Sequence, residues 1–187
     1  MHLTLAAGSF SSWGELPSAG WESLLNAWSA PLQPVAPARA TSKTKLSVLP
    51  YAVEDVPLTA TAIEAIQRCI AGEVRSDRIV GAVGDVPIEV AIIDSGADRL
   101  AHAGNAITAQ GKRITEKAID AEIFGPSGEP DLVVACGPST AGVPSLVWEL
   151  AYSEIVYLNL AWREVGSNDL DRAIRDFHNR NRRFGGV

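Results

Sequence analysis

The chain has 187 residues, of which 47% are hydrophobic and 20% charged, and its net charge is −6. This balance is typical of one soluble globular domain and excludes a disordered chain. An acidic chain is also unlike nucleic-acid-binding proteins, which normally carry a basic surplus. The start, MHLTLAAGSFSSW, lacks the basic segment of a signal peptide, and no apolar run reaches the length of a membrane span.

Apolar patterning predicts strands that alternate with helices along the chain. The predicted strands are 2–7, 46–49, 79–83, 88–93, 131–135 and 155–160, and the predicted helices are 18–28, 59–70, 99–107, 114–124, 146–152 and 169–179. In the first helix, apolar residues recur every three or four positions from Trp21 to Trp28, and Ser18 is the expected N-cap. The alternation predicts a single α/β domain over residues 1–187, with a mainly parallel central sheet flanked by helices.

Two segments depart from this alternation. Residues 31–45, PLQPVAPARATSKTK, carry three prolines and no apolar periodicity, which predicts a proline-rich loop. Residues 180–187 form a C-terminal tail within an arginine-rich end of the chain. Guanidinium groups bind phosphate bidentately, and cations also stabilise the end of a helix. Composition alone leaves a phosphate or acidic-partner site and a solvated helix end equally open.

The usual catalytic motifs are absent, since the chain has no GxGxxG, P-loop, HExxH or GxSxG. The segment CGPSTAG, residues 136–142, follows a predicted strand where α/β sheets place their ligand loops. Its amides could cradle an anion, but a plain strand-to-helix connection is the favoured interpretation. Cys136 is expected to be a buried, inert thiol. The histidines His2, His102 and His178 are scattered and show no metal-ligand spacing.

The last 60 residues resemble the C-terminal end of the cis-prenyltransferases, which include undecaprenyl and dehydrodolichyl diphosphate synthases. The family pattern there is Asp-Leu-Val/Ile-Ile-Arg-Thr-x-Gly-Glu-x-Arg-x-Ser-Asn-Phe-Leu-x-Trp-Gln-x-Ala-Tyr-x-Glu. It aligns without gaps with residues 131–154, and Trp148, Ala151 and Tyr152 fall on their counterparts. The family's ending, Arg-Arg-Phe-Gly-Gly, is literal at residues 182–186. The resemblance implies a shortened cis-prenyltransferase fold.

The departures from the family pattern lie at its substrate-binding positions. By this resemblance, the two arginines and the serine that hold isopentenyl diphosphate are replaced by Ala135, Ala141 and Val143. The glutamate between the arginines is replaced by Ser139. Each lost charge-assisted hydrogen bond is worth roughly 1.5–3 kcal/mol, so affinity for the diphosphate should fall by orders of magnitude. Glu154 matches a glutamate that assists the metal site, and it is a weak candidate for a metal ligand.

Two alignments of the N-terminal half are open. The preferred alignment places HLTLAAGSFSSW on the family's first strand, so that Ala7 replaces the aspartate that orders magnesium and diphosphate. Glu54 and Asp55 then fall on the family's Glu-Asn pair, and Leu58 replaces an arginine. The rival alignment deletes the first strand-helix unit. Both alignments lack the family's Asp-Gly-Asn element, and the middle of the chain is short where the helices around the hydrocarbon tunnel belong.

The resemblance therefore implies a non-catalytic subunit of a heteromeric cis-prenyl diphosphate synthase, similar to the accessory subunits of the Nogo-B receptor type. The expected partner is a homologous catalytic subunit, with isopentenyl and allylic diphosphates bound through the complex. Arg183, Phe184, Gly185 and Gly186 of the tail would enter the partner's diphosphate site. Mg²⁺ is expected in the partner's active site, with none bound by this chain alone.

The resemblance also implies a dimer face within residues 146–160. The expected anchors are its large apolar and aromatic side chains: Trp148, Leu150, Tyr152, Ile155, Val156 and Tyr157. Neither a nucleic-acid partner nor a transmembrane segment is expected, and the protein should be cytoplasmic, with membrane-peripheral placement through the complex as the alternative. Two other functions are open: a divergent active prenyltransferase that uses different residues, and a non-catalytic scaffold.

Overall fold

The computed structural model of the chain describes residues 1–34, 44–54, 56–139, 142–151 and 153–180. Its strands are β1 (His2–Ala7), β2 (Lys45–Leu49), β3 (Glu73–Arg75), β4 (Arg78–Val83), β5 (Val86–Ala91), β6 (Leu132–Cys136) and β7 (Glu154–Leu158). Its α-helices are α1 (Phe10–Gly14), α2 (Ser18–Ser29), α3 (Ala60–Cys69), α4 (Gly96–Ala109), α5 (Glu116–Phe124) and α6 (Ser167–Asn179). Most of the proline-rich segment and the tail after Arg180 lie outside the described residues.

The strands form one seven-stranded sheet in the order β3-β4-β5-β2-β1-β6-β7. The strands from β5 to β7 in this order pair in parallel, whereas β3, β4 and β5 form antiparallel pairs. The predicted α/β domain with a mainly parallel sheet is confirmed. Parallel pairing brings the carboxyl ends of β1, β2 and β6 to one edge, because Ala6 pairs with both Leu49 and Ala135.

One face of the sheet is covered by α1, α2, α3 and α6 and has an apolar core. Alternate residues of β1, such as Leu3 and Leu5, point into it because side chains alternate along a strand. Trp13, Trp21 and Trp28 are fully buried there, and the rings of Trp13 and Trp21 meet edge to face at 5.4 Å. The spacing of Trp21 and Trp28 on α2 is the apolar stripe that the sequence predicts, whereas α1, which carries Trp13, was not predicted.

The other face is covered by α4, α5 and the turns of residues 142–151, and it mixes apolar with ionic groups. Lys45 on β2 is buried, forms an ion pair with Glu89 on β5 at 2.8 Å, and donates to the carbonyl of Phe124 at 3.0 Å. A small cavity of about 20 Å³ lies within this ionic network, where the buried Thr4 hydroxyl has no partner among the described residues.

Several predicted boundaries need correction. Residues 147–151 form turns where the helix 146–152 was predicted, and neither α1 nor β3 was predicted. Ser18 is the first helical residue of α2, and Pro17 holds the N-cap position. Thr115 is the N-cap of α5, since its side chain accepts a hydrogen bond from the amide of Ala118. Within the described ranges, no helix is long and apolar enough to cross a bilayer.

Candidate functional site at the carboxyl edge of the sheet

The carboxyl ends of β1, β2 and β6 are the edge where parallel α/β sheets bind ligands. Ala7 and Cys136 pair at this edge, and the chain turns away at Gly8 and Gly137. Gly8 has φ +64°, in the left-handed region that favours glycine, and a Cβ there would lie 2.8 Å from the Trp162 ring. The edge is therefore tightly closed around the end of β1.

Ala135 and Val143, two of the positions where the resemblance implies that substrate-binding side chains were lost, are apolar and buried. Ala135 is fully buried, and Val143 joins it in a cluster with Leu146. Ser139 is exposed in a turn, and Ala141 lies outside the described residues. An arginine in place of Ala135 would have to enter this apolar cluster.

The loop after β6 is covered by Tyr51, which follows β2. Its hydroxyl donates to the carbonyl of Pro138 at 2.8 Å, and a Cβ on Gly137 would lie 2.5 Å from the tyrosine ring. The amide of Gly137 donates to the carbonyl of Leu158 at 3.0 Å. Because this amide is already hydrogen-bonded, it is not available to an anion. The described part of the segment 136–142 therefore favours a simple connecting loop over an anion-binding site.

The start of α1 also meets an anion that the chain itself supplies. The carboxylate of Glu54 accepts hydrogen bonds from the amide of Ser11 at 3.2 Å and from its hydroxyl at 2.5 Å. The side-chain hydrogen bonds of Ser11 and then Ser9 lower the pKa of Glu54 below its ordinary value. Amides at the start of a helix attract negative charge, and here Glu54 provides it.

Cys136 has the properties of an inert thiol. Burial, followed by the negative charge of Asp169, raises the pKa of Cys136 to about 12, so the thiol stays protonated. Mg²⁺ requires oxygen ligands, which the side chains of Ala7 and Ala135 do not offer. In the part of the chain that the structure describes, no three His, Cys, Asp or Glu residues come together as a metal site. The described residues at this edge therefore do not fit a magnesium ion.

The histidines occupy three separate environments. The ring of His2 is buried and contacts the carbonyl of Gly128 at 2.8 Å and the hydroxyl of Ser47 at 2.9 Å. Burial, and then the charge of Lys45, lowers the pKa of His2 to about 4. His102 contacts Ser76 at 2.6 Å, and His178 is exposed on α6. The structure therefore gives His2 a structural role at the start of β1.

Three of the residues expected at a dimer face lie on β7, the last strand at one side of the sheet: Ile155, Val156 and Tyr157. Ile155 and Tyr157 pack on one face of the sheet and Val156 on the other, each half-buried. Leu150 is 43% exposed, and Tyr152 lies outside the described residues.

Trp148 and Glu154, which also belong to the segment 146–160, already form side-chain contacts within the domain. The indole of Trp148 donates to Asp120 on α5 at 2.7 Å, which turns Trp148 toward the domain rather than outward. Glu154 accepts a hydrogen bond from Arg180 at the amino end of β7, away from the carboxyl edge where Ala135 lies. Glu154 is therefore not brought together with the candidate site.

The buried ionic groups on the sheet face that α4 and α5 cover were not predicted from the sequence. Arg99 on α4 and Glu149 in the following turns form a buried ion pair at 2.5 Å, and Arg78 binds both Asp77 and Glu89. Arg99 and Glu149 are 50 residues apart, and Arg78 and Glu89 are 11 apart, so no local spacing reveals these two pairs. One indication of a buried charge was present: Glu89 is a charged residue inside the otherwise apolar predicted strand 88–93.

Comparison with protein-family models gives a match over residues 64–185, about two thirds of the chain, to the prenyltransferase family described as "Putative undecaprenyl diphosphate synthase". Among curated relatives, an isoprenyl transferase of Clostridium tetani is 42% identical over 59 residues, covering 32% of this chain and 23% of that protein. An isoprenyl transferase of Fusobacterium nucleatum is 29% identical over 103 residues, covering 54% and 45%. The chain thus spans less than half the length of these relatives.

Two solved structures share the fold. A "probable undecaprenyl diphosphate synthase" from Campylobacter jejuni superposes with a TM-score of 0.53 at 17% identity, over 99% of this chain and 83% of that one. Lavandulyl diphosphate synthase from Lavandula x intermedia, in complex with dimethylallyl diphosphate, superposes with a TM-score of 0.57 at 16% identity, over 99% and 79%. The shared fold therefore includes β1 and α2, which precede the family match. The chain belongs to the undecaprenyl diphosphate synthase family of cis-prenyltransferases.

Proposed function

We propose that this chain is a non-catalytic subunit of a heteromeric cis-prenyl diphosphate synthase. It pairs with a homologous catalytic subunit, and Arg183, Phe184, Gly185 and Gly186 of its tail complete that subunit's isopentenyl diphosphate site. The observation that carries the proposal is the apolar carboxyl edge, where Ala135 is fully buried at a position that the resemblance assigns to a diphosphate-binding arginine.

The packing at this edge argues against a diphosphate site within the chain. Val143 and Ala135 belong to one apolar cluster, Tyr51 covers Gly137, and Glu54 occupies the start of α1. Each missing charge-assisted hydrogen bond removes about 1.5–3 kcal/mol, and a 1.4 kcal/mol loss is a tenfold loss of affinity. Two missing arginines alone would therefore weaken diphosphate binding by about two orders of magnitude or more.

The aromatic core argues against a hydrocarbon site on the face covered by α2 and α3. Trp21 packs against Trp13 at 5.4 Å and against Trp162 at 6.2 Å, and Trp28 packs against Trp162 at 6.4 Å. Trp28 is also fixed by its indole hydrogen bond to the carbonyl of Val165 at 2.9 Å. A growing prenyl chain would have to displace these buried rings, which disfavours the alternative of a divergent active enzyme.

The start of the tail lies beside the expected dimer face. Arg180, the last described residue, binds Glu154, the first residue of the edge strand β7. Arg183 lies three residues beyond Arg180, and an extended chain of that length spans about 10 Å. A catalytic subunit that binds along β7 would therefore lie within reach of Arg183.

The test is to assay the purified chain with isopentenyl diphosphate, Mg²⁺ and an allylic diphosphate, alone and mixed with a catalytic homologue from the same organism. We expect no turnover by the chain alone, and turnover by the mixture that exceeds that of the catalytic homologue alone. Robust turnover by this single chain would contradict the proposal. A mixture no faster than the catalytic homologue would favour a scaffold instead.

A further inference from the structure

Three polar side chains from neighbouring strands face the small cavity on the side of the sheet that α4 and α5 cover. They are Thr4 on β1, Ser47 on β2 and Glu89 on β5. Thr4 pairs with Ser47, and Ser47 pairs with Glu89, so the three residues form one row across three parallel strands. Residues paired across parallel strands point to the same face of a sheet. Their polar groups therefore share one small space.

The Thr4 hydroxyl is the group in this row that most needs a ligand. Thr4 is only 1% exposed, and its hydroxyl has no hydrogen-bond partner among the described residues although it lines the cavity. Folded proteins satisfy nearly all such buried groups, either with other protein atoms or with internal water. The Thr4 hydroxyl therefore indicates a ligand that forms hydrogen bonds.

The hydrogen bonds of His2 make Ser47 an acceptor toward the cavity. Nδ1 of His2 lies 2.8 Å from the carbonyl of Gly128 and must donate to it, because a carbonyl only accepts. Burial lowers the pKa of His2 to about 4, so the ring is neutral at pH 7. Nε2 then accepts from the Ser47 hydroxyl at 2.9 Å. Ser47 has used its proton in this bond, and its oxygen can accept another.

The charges around the cavity favour a neutral ligand. Three cations and three carboxylates balance there, each cation being paired: Lys45 with Glu89, Arg78 with Asp77 and Glu89, and Arg99 with Glu149. An ion would bring an uncompensated charge into this largely buried network, which is costly. Glu89 accepts from its two cations through Oε2. A carboxylate offers about four acceptor sites, so Glu89 can accept from a ligand as well.

The size of the cavity limits the ligand to one small molecule. Its volume is about 20 Å³, and a cavity needs about 10–15 Å³ to hold one water molecule. We propose that one internal water molecule binds here, accepting from the Thr4 hydroxyl and donating to the Ser47 oxygen and the Glu89 carboxylate. Three hydrogen bonds are the usual number for a buried water. The water links β1, β2 and β5 and does not depend on the proposed function.

The direct test is a high-resolution crystal structure of the chain. We expect density for one water molecule about 2.5–3.0 Å from both Thr4 Oγ1 and Ser47 Oγ. Crystals soaked in sodium bromide or in rubidium chloride should show no anomalous peak at this position. Density that lies beyond hydrogen-bonding reach of Thr4 Oγ1 would overturn the proposal. A bromide or rubidium peak would identify an ion site and also overturn it.

A threonine-to-valine change tests the same water in solution, because it removes the hydroxyl and keeps the shape of the side chain. If the Thr4 hydroxyl binds water, Thr4→Val should lower the urea midpoint of unfolding by roughly 0.5 M. If the hydroxyl has no partner, the change removes an unsatisfied buried group and should raise the midpoint. An unchanged or raised midpoint would therefore overturn the proposal.

Thr61→Val is the matched control, because Thr61 is exposed on α3. It makes the same chemical change away from the cavity and should leave the urea midpoint unchanged. An equal fall in both variants would show a general effect of valine and overturn the assignment to Thr4. These measurements involve neither a catalytic subunit nor a substrate, so their failure and that of the proposed function are distinguishable.

Discussion

The guanidinium of Arg99 donates to the carboxylate of Glu149 at 2.5 Å, and both side chains are more than nine tenths buried. Arg99 also donates to the carbonyl of Ser145 at 3.2 Å. A Cβ on Gly96 would lie only 2.8 Å from that same carbonyl, so α4 and this segment are in close contact. These contacts hold residues 142–151 against α4, and Leu150 of this segment is 43% exposed.

Breaking this pair should destabilise the domain far more than breaking a surface pair. Arg99→Met leaves Glu149 buried without a partner and should cost about 3–5 kcal/mol in the free energy of unfolding. The double variant with Glu149→Leu should recover most of that loss. Urea unfolding of Arg99→Met, Glu149→Leu and the double variant measures the coupling energy between the two side chains. Arg175→Met, which breaks an exposed pair with Asp171, is the control and should cost less than about 1 kcal/mol.

Acid should destabilise the protein through His2. The pKa of His2 is lowered to about 4 from its ordinary value of 6.5, so between these pH values the unfolded chain binds a proton that the folded chain does not. The contribution of His2 to stability is complete above pH 6.5 and declines as the pH falls toward 4, by about 3 kcal/mol in total.

Urea unfolding at a series of pH values checks the effect of His2. His2→Gln should lose less stability than the wild type between pH 6.5 and 4, whereas His178→Gln, at an exposed position, should follow the wild type. Parallel curves for His2→Gln and the wild type would show that His2 is not the group responsible.

The edge strand β7 and the preceding turns should carry the partner contact. Leu150→Asp places a charge on a side chain that is 43% exposed, so it should leave the fold intact and abolish co-purification with the catalytic subunit. Val74→Asp is the matched control, because Val74 is 45% exposed on β3 at the opposite edge of the sheet. Co-purification that survives Leu150→Asp, or that is lost equally with Val74→Asp, would place the interface elsewhere.

The sequence was sufficient for the elements whose stabilisation is local. The strand 2–7 is recovered residue for residue, and the helix with Trp21 and Trp28 differs only at its ends. β3 was missed because its three residues, Glu73 to Arg75, are all exposed and show no apolar alternation. Its turn depends on Ser76 with φ +60°, which spacing does not reveal.

The predicted helix at 146–152 failed for a different reason. Its apolar residues reflect burial, as of Leu146, but long-range contacts fix the segment as turns. These contacts are Arg99 with Glu149, Trp148 with Asp120, and the Ser145 hydroxyl with the carbonyl of Pro50.

At the candidate site, the replacements at Ala135 and Val143 could be predicted from the family pattern. The closure of that site by Tyr51 and Glu54 could not, because it joins distant segments.

The central claim is that the tail acts in the partner's active site, and the most direct measurement is the steady-state kinetics of the reconstituted complex with Arg183→Ala. Arg183 lies outside the described residues, so its role has to be tested by enzyme kinetics. A lost cation near a diphosphate should reduce kcat/KM for isopentenyl diphosphate by roughly tenfold to a few hundredfold. Size exclusion should show an intact complex, and Arg175→Ala on α6 should leave the kinetics unchanged. Unchanged kinetics with Arg183→Ala in an intact complex would contradict the claim.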